Sequence, residues 1–391
     1  MLKQTVGTVA SIKTVALSAI WTFPSVLLSA LVIGWAAEAA QFLFSQGLAL
    51  AILAWLQTLP EFAVEAVIAW EAGTDPQKIH LITANFTGSL RLLVGLGWPM
   101  IYFTTVFFRK RKPGEKKLLN IKLDGEHAVE VLGLLPPILY FVIIVLKGTL
   151  TLFDSVVLFL MYIGYLYVLR KIPPQDQEKT EDLDRIPRWI LKQQPVKRNL
   201  SIAFLFIFGG IWLYLVAKPF LHSMLALATL LGASQFVFIQ WVSPFLSEFP
   251  EKVTAFNWAR TVKKAPMALM NMISSNINQW TVLVAMIPIV YSISTGKVSV
   301  IHFDSHQKVE IFLTIAQSAL GMVLLANMEF RWYEALGLFG LWFTQFVIPS
   351  LREEITWVYL FWLYVELILA FFGKRKLIVF KEFRELIRKH W

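Results

Sequence analysis

The apolar residues of this chain arrive in blocks about 20 long. That spacing constrains the fold more than any other feature, because about 20 apolar residues in a helix span the hydrocarbon core of a bilayer. About eleven blocks can be marked: 15–37, 42–71, 79–108, 127–147, 150–170, 199–218, 221–258, 265–294, 308–328, 332–349 and 355–373. Of 391 residues, 57% are hydrophobic and 16% charged, with a mean hydropathy of +0.61. A soluble chain of this length is far less apolar. The expectation is an all-α polytopic membrane protein. The first block follows Lys3 and Lys13 and exceeds a signal-peptide core of about 7–15 residues, so it is read as the first helix.

Several chemistries drop out. The chain has no Cys, so disulfides and thiolate metal sites are excluded. There is no HExxH pair and no Walker-type glycine loop, so neither a zinc protease nor an ATPase is expected. An intramembrane enzyme would need a nucleophile and base inside the spans; none is evident, and His127 and His222 lie near span ends. The 15 Trp and 31 Phe read as interfacial belts and lipid-facing surface. No cofactor is expected, and the partner that composition implies is the bilayer, not nucleic acid.

The net charge of +10 is concentrated in loops. Arg109, Lys110, Arg111, Lys112, Lys116, Lys117 and Lys122 crowd the 109–126 loop. Arg170, Lys171, Lys179, Arg185, Arg188, Lys192, Lys197 and Arg198 fill the next, and Arg260, Lys263 and Lys264 a third. The tail is basic from Lys374 onward. With eleven spans all four regions fall on one side, which the positive-inside rule makes cytoplasmic. The N-terminus is then outside and the C-terminus inside, against a weak opposing signal from Lys3 and Lys13. The polar 171–198 segment divides a first half, 1–170, from a second, 199–350, with 351–391 as an extra helix and basic tail. The sequence LIVFKEFRELIRKHW (377–391) has helical apolar spacing; an amphipathic helix on the inner leaflet and a solvated helical end fit it equally.

Inside these spans lies a repeated polar motif. Gln57-Thr58-Leu59-Pro60-Glu61 recurs as Ser247-Glu248-Phe249-Pro250-Glu251, an offset of 190. Asn85-Phe86-Thr87-Gly88-Ser89 recurs as Asn271-Met272-Ile273-Ser274-Ser275, an offset of 186. Three spans separate the copies, so they insert with opposite topology. Proline breaks a helix and frees carbonyls beside the glutamate, and hard cations take oxygen ligands. Inverted repeats with interrupted helices place ion sites near the midplane, where a carboxylate is costly unless it serves a cation or proton.

The pattern resembles the α-repeats of the sodium/calcium exchanger superfamily of cation/calcium antiporters, as a divergent prokaryotic-type member, over roughly 50–105 and 240–292. In that family a Gly-Thr-Ser-x-Pro-Glu box precedes a Gly-Asn-x-x-Gly-Ser-Asn box. The resemblance implies two inverted five-helix repeats, to which helix count adds an extra C-terminal helix, and secondary cation antiport in an integral, inner-membrane setting. It matches Glu61 and Glu251 to the paired central carboxylates that hold the metal. Thr58, Ser247, Ser89 and Ser275 match its hydroxyl positions, and Asn85 and Asn271 its amides. The transported ion is then Ca²⁺ or another cation, with Na⁺ or H⁺ as counter-ion.

This chain departs from the pattern at Leu93 and Gln279, where the family has Asn or Asp, at Leu90, where it has Asn, and at Glu248, where a Ser is usual. Arg91 stands two residues past Ser89. Glu61, Glu248 and Glu251 cannot all stay charged without a cation or protons, so Glu248 is a candidate ligand or proton carrier, and Arg91 is either a charge partner at the site or a residue reaching elsewhere in the bundle. Sodium coupling, proton coupling, another cation and a degenerate site all remain open. The competing reading is a transport-inactive family member used as a membrane sensor or scaffold, with Arg91 filling the space between Glu61 and Glu251. Glu65, one turn beyond Glu61 and on its face, either joins the site or is an outer-vestibule or structural residue, the second reading being preferred, and Glu366, mid-span in the last helix, is read as a packing or oligomer contact.

Overall fold

The computed structural model describes residues 12–43, 49–109, 120–172, 180 and 183–391. The basic run 110–117, Lys3 and the Pro-containing stretch 173–179 lie outside those residues. In the first half the helices are α1 (Ala19–Ala40), α2 (Ala49–Gln57), α3 (Leu59–Thr74), α4 (Ile79–Leu92), α5 (Trp98–Phe108), α6 (Ala128–Gly133), α7 (Leu135–Lys147) and α8 (Leu152–Lys171). After α9 (Arg185–Leu191) come α10 (Pro195–Leu230), α11 (Gln235–Ser247), α12 (Phe249–Arg260), α13 (Ala265–Asn278), α14 (Val284–Thr295), α15 (Ser305–Leu325) and α16 (Trp332–Val347). Helices α17 (Arg352–Phe371) and α18 (Ile378–His390) close the chain.

Among the described residues eight helical stretches are long and apolar enough to cross a membrane, and α2–α3, bent by 48°, makes a ninth. A helix satisfies its own backbone, which lipid cannot do. The two other expected spans fall outside that measure: α11–α12 is interrupted and charged, and α16 is only 16 residues long. One boundary needs correction. The spans expected at 199–218 and 221–258 are divided differently, because α10 runs unbroken through Pro219 to Leu230. The turn comes instead at Gly232, whose φ of +65° suits glycine, and the interrupted span is 235–260.

Pro60 and Pro250 each sit in the first turn of the second member of an interrupted pair. There the missing N–H costs nothing, while the chain cannot continue the preceding helix smoothly. The breaks fall at Thr58 and Glu248, the same position of the two motifs.

Four two-residue strands report the relation between the halves. β1 (Ile121–Lys122) precedes α6–α7 and β2 (Thr149–Leu150) follows it; β3 (Ile301–His302) precedes α15 and β4 (Glu329–Phe330) follows it. β1 pairs antiparallel with β4, Ile121 opposite Phe330, and β2 with β3, Leu150 opposite Ile301. The start of α6–α7 therefore lies beside the end of α15, and its end beside the start of α15. The two run in opposite directions, as inverted repeats require. A shift of 180 positions maps one strand pair onto the other.

Helix α1 packs along α10: Ser29 Oγ donates to the Gly209 carbonyl at 2.8 Å, and Thr22 and Ser223 hydroxyls meet at 2.8 Å. The tail helix α18 lies on the protein rather than free. Its Val379 N–H donates to the Ala326 carbonyl at 3.0 Å, and Ile378, Phe383 and Leu386 pack on the core. Arg375 anchors it, bonded to Glu334 at 2.8 Å, Glu366 at 2.7 Å and the Leu324 carbonyl at 2.6 Å. Within this chain Glu366 is thus an internal packing contact.

Candidate functional site

The two breaks and the two following helices, α4 and α13, meet at the middle of the bundle. Gly88 allows this closeness: a Cβ there would lie 1.8 Å from the Gln240 carbonyl oxygen of α11. Asn276 Nδ2 of α13 donates to the Leu90 carbonyl of α4 at 3.3 Å. Those two residues occupy equivalent positions of the repeat, so the pseudo-twofold axis passes between them.

Each side chain expected at the site is brought there and is fully buried: Thr58, Glu61, Asn85, Ser89, Ser247, Glu248, Glu251, Asn271 and Ser275. On the first repeat, Asn85 Nδ2 donates to Glu61 at 2.5 Å and to Glu65 at 2.6 Å. Glu65 therefore joins the network of Glu61. Ser247 of the second repeat donates to the other Glu61 oxygen across the interface. Ser89 and Gln279 both donate to Glu248, the latter at 2.7 Å. Asn278 Nδ2 donates to the Thr58 hydroxyl at 2.6 Å. Glu251 faces the Ser275 hydroxyl, yet among the described residues neither of its oxygens has a hydrogen-bond donor in place.

Among the described residues, Lys252 brings a cation to the site. Its Nζ lies 2.5 Å from Glu248, one turn back on the interrupted helix. Arg91 is committed elsewhere. Its guanidinium is bonded to Glu310 at 2.6 Å, to Gln345 at 2.8 Å and to the Thr87 carbonyl at 3.2 Å, and lies over the Trp241 ring at 5.1 Å. Arg352 of α17 also bonds Glu310 and donates to Gln240 at 2.8 Å. This second polar cluster ties the extra helix to the core.

Sequence reading missed Lys252, and it missed a third recurrence. Asp124 with Glu130 repeats as Asp304 with Glu310, and Asp154 repeats as Glu334, each at an offset of 180. It also missed that both α4 and α13 run into a π-helical turn, Leu93–Gly97 and Gln279–Leu283. Such turns re-aim side chains at functional positions; here the second one begins at Gln279 and that side chain reaches Glu248.

Among the described residues many site oxygens are buried without a hydrogen-bond donor: both of Glu251, one of Glu65, the amide oxygens of Asn85, Asn271, Asn276, Asn278 and Gln279, and the Ser275 hydroxyl. Each costs about 1–3 kcal/mol if left unmet, and a hard cation meets such oxygens well. Among the described residues no three His, Cys, Asp or Glu side chains converge to hold a metal by themselves; His302 and His306, four apart in sequence, form no such group. What these residues offer an ion is a mixture of carboxylate, amide and hydroxyl oxygens.

The model of the sodium/calcium exchanger protein family matches residues 13–171 and 201–350. A crystal structure of an H⁺/Ca²⁺ exchanger, CAX, is 30% identical with a TM-score of 0.84, covering 99% of each chain. The sodium-calcium exchanger NCX_Mj is 18% identical with a TM-score of 0.54, over 87% of this chain and 99% of its own. Native YfkE is 12% identical with a TM-score of 0.57, over 86% and 96%. These last two show the fold alone. No curated protein sequence matches. The repeats, the inverted topology and these likenesses agree: the chain belongs to the sodium/calcium exchanger family, as a membrane transporter and not an enzyme.

Proposed function

We propose that the chain exchanges a divalent cation, Ca²⁺ first among them, against protons at the carboxylates Glu61, Glu251 and Glu248, with Thr58, Asn85, Ser89, Ser247, Asn271 and Ser275 in support. The observation that carries this reading is Glu251, a fully buried carboxylate with both oxygens uncommitted, set among donorless amide oxygens. Proton coupling is favoured over sodium by what the site spends. The hydroxyls of Ser247 and Ser89 already serve carboxylates, and Leu93 offers no oxygen, so few neutral ligands remain for further cations. Four carboxylates remain, each able to take a proton when a cation leaves. The 30% identical relative, itself an H⁺/Ca²⁺ exchanger, supports the same choice.

The site is closed to water in this conformation, so transport requires opening first to one side and then to the other. Helices α1 and α10, the first of each repeat (1–170 and 199–350), are the elements whose rocking would do this. The loop charges support a cytoplasmic face at 109–126 and 259–264, with the N-terminus outside. The transport-inactive reading called for a cation filling the space between Glu61 and Glu251. Arg91 is held at Glu310, and the direct contact of the Lys252 ammonium is with Glu248, which leaves the Glu251 oxygens for cargo.

The test is ⁴⁵Ca²⁺ uptake into proteoliposomes under a pH gradient or a sodium gradient, beside Glu61→Gln and Glu251→Gln. Uptake driven by the pH gradient and lost in both variants is expected, with the apparent KM for Ca²⁺ rising up to about ten-fold per unit of falling pH for each competing proton. Sodium-driven uptake would replace protons by sodium as the counter-ion. Uptake under neither gradient would leave the sensor reading.

A further inference from the structure

A chain of hydrogen bonds crosses four helices from the end of α1 to the site. Thr254 Oγ1 donates to Glu38 Oε1 at 3.0 Å, Gln57 Nε2 donates to Thr254 Oγ1 at 3.1 Å, and Asn271 Nδ2 donates to Gln57 Oε1 at 3.3 Å. Glu38 is on α1; Thr254 is one turn beyond Glu251 on α12; Gln57 is the last residue of α2 before its break; Asn271 is on α13. Beside Glu38 and Thr254, away from the site, lies a cavity of about 70 Å³ also lined by Asp184, Asn257, Thr261 and Lys264. The chain thus stands between that cavity and the buried carboxylates.

We propose that Glu38, Thr254 and Gln57 form a latch that closes this end of the molecule and sets the orientation of Asn271 in the site. They are positioning residues, acting through Asn271. The inference rests on the antiport reading for what the latch serves, and on geometry for its existence. Its logic is the polarity of the chain. A carboxylate can only accept, so Glu38 takes the one hydroxyl proton of Thr254. Thr254 must then accept from Gln57, which turns the Gln57 oxygen toward Asn271. Gln57 takes the Asn271 N–H, and the Asn271 oxygen, which has no donor, is left to face cargo. When α1 swings away, Thr254 loses its acceptor and its proton is free to go to the Gln57 oxygen. That competes with Asn271 and releases the amide. Opening the latch and loosening a cargo ligand become one event.

The chain contains no natural cysteine, so a Ser275→Cys reporter can be labelled by an impermeant charged thiol reagent from either face of sealed vesicles. Adding Thr254→Val should raise labelling from the face bearing the 183–198 and 259–264 loops about five-fold, the population shift that one lost buried hydrogen bond produces. Labelling from the other face should not change, and Thr254→Ser, which keeps the hydroxyl, should restore the original rate. Glu38→Leu, at the opposite end of the chain of bonds, should reproduce the effect if Thr254→Val does not assemble. Unchanged labelling in either variant, or an equal rise from both faces, would overturn the latch. Labelling does not depend on which ion is carried, so failure of the antiport reading shows separately, as absent Ca²⁺ flux in the protein with Ser275 intact while the sided labelling of the Ser275→Cys reporter persists.

Discussion

Arg91 offers a decisive separation of structural from transport roles. It is fully buried, and its guanidinium lies 2.6 Å from Glu310. With charge centres about 4 Å apart and an effective dielectric near 20, the pair is worth about 4 kcal/mol. Removing one partner of a buried pair costs about 3–5 kcal/mol, because the other is left charged without compensation. Glu310 keeps Arg352 and the Gln240 amide at 2.9 Å, which offsets part, so Arg91→Met should destabilise by about 2–4 kcal/mol. In detergent that corresponds to a fall of about 2–5 °C in the thermal unfolding midpoint of a chain of this length. Pairing it with Glu310→Gln should recover part of the loss, since the two residues interact directly. The apparent KM of folded Arg91→Met for Ca²⁺ in proteoliposomes should stay within about two-fold of the parent, as the altered charge sits outside the carboxylate cluster. A midpoint unchanged within a degree, together with a KM shifted ten-fold or more, would place Arg91 at the ion site and refute the assignment to Glu310.

Two further outcomes follow from other charged side chains. Lys252→Gln removes the cation beside Glu248, so affinity for a divalent cation should rise by about ten-fold or more while turnover slows, measurable as a lower KM and lower kcat in ⁴⁵Ca²⁺ exchange. Arg375→Met removes ligands from Glu334 and Glu366 together, and the tail helix 378–390 should then become cleavable by limited trypsin treatment at rates well above those of the parent.

How far the site could be read from the sequence differs residue by residue. Glu61 and Glu251 were legible because each carries its own context, a proline one residue before it and an Asn box one helix later, and because the context occurs twice. The interrupted helices followed from those prolines. For Glu65, helical spacing put it on the face of Glu61 and left two roles open; only packing shows that the Asn85 amide links the two carboxylates. The third recurrence was present in the sequence and passed unread, since Asp124, Glu130 and their counterparts sit at span ends, where charges look like ordinary surface.

The sequence by itself determined that the chain spans a membrane many times as helices, that it is a duplicated unit in opposite orientations, and that paired glutamates lie at the duplicated breaks. All of this is local periodicity, proline chemistry and repetition, readable without knowing what touches what. Tertiary structure alone decided which charge meets which. Arg91 stands two residues from Ser89 yet finds its partner at Glu310, 219 residues away, while Lys252, adjacent to Glu251, serves Glu248. It also decided that Glu38 ends a chain of bonds reaching Asn271. Long polar side chains in a low-dielectric interior must find partners wherever packing presents them, and helix packing sets that address independently of distance along the chain.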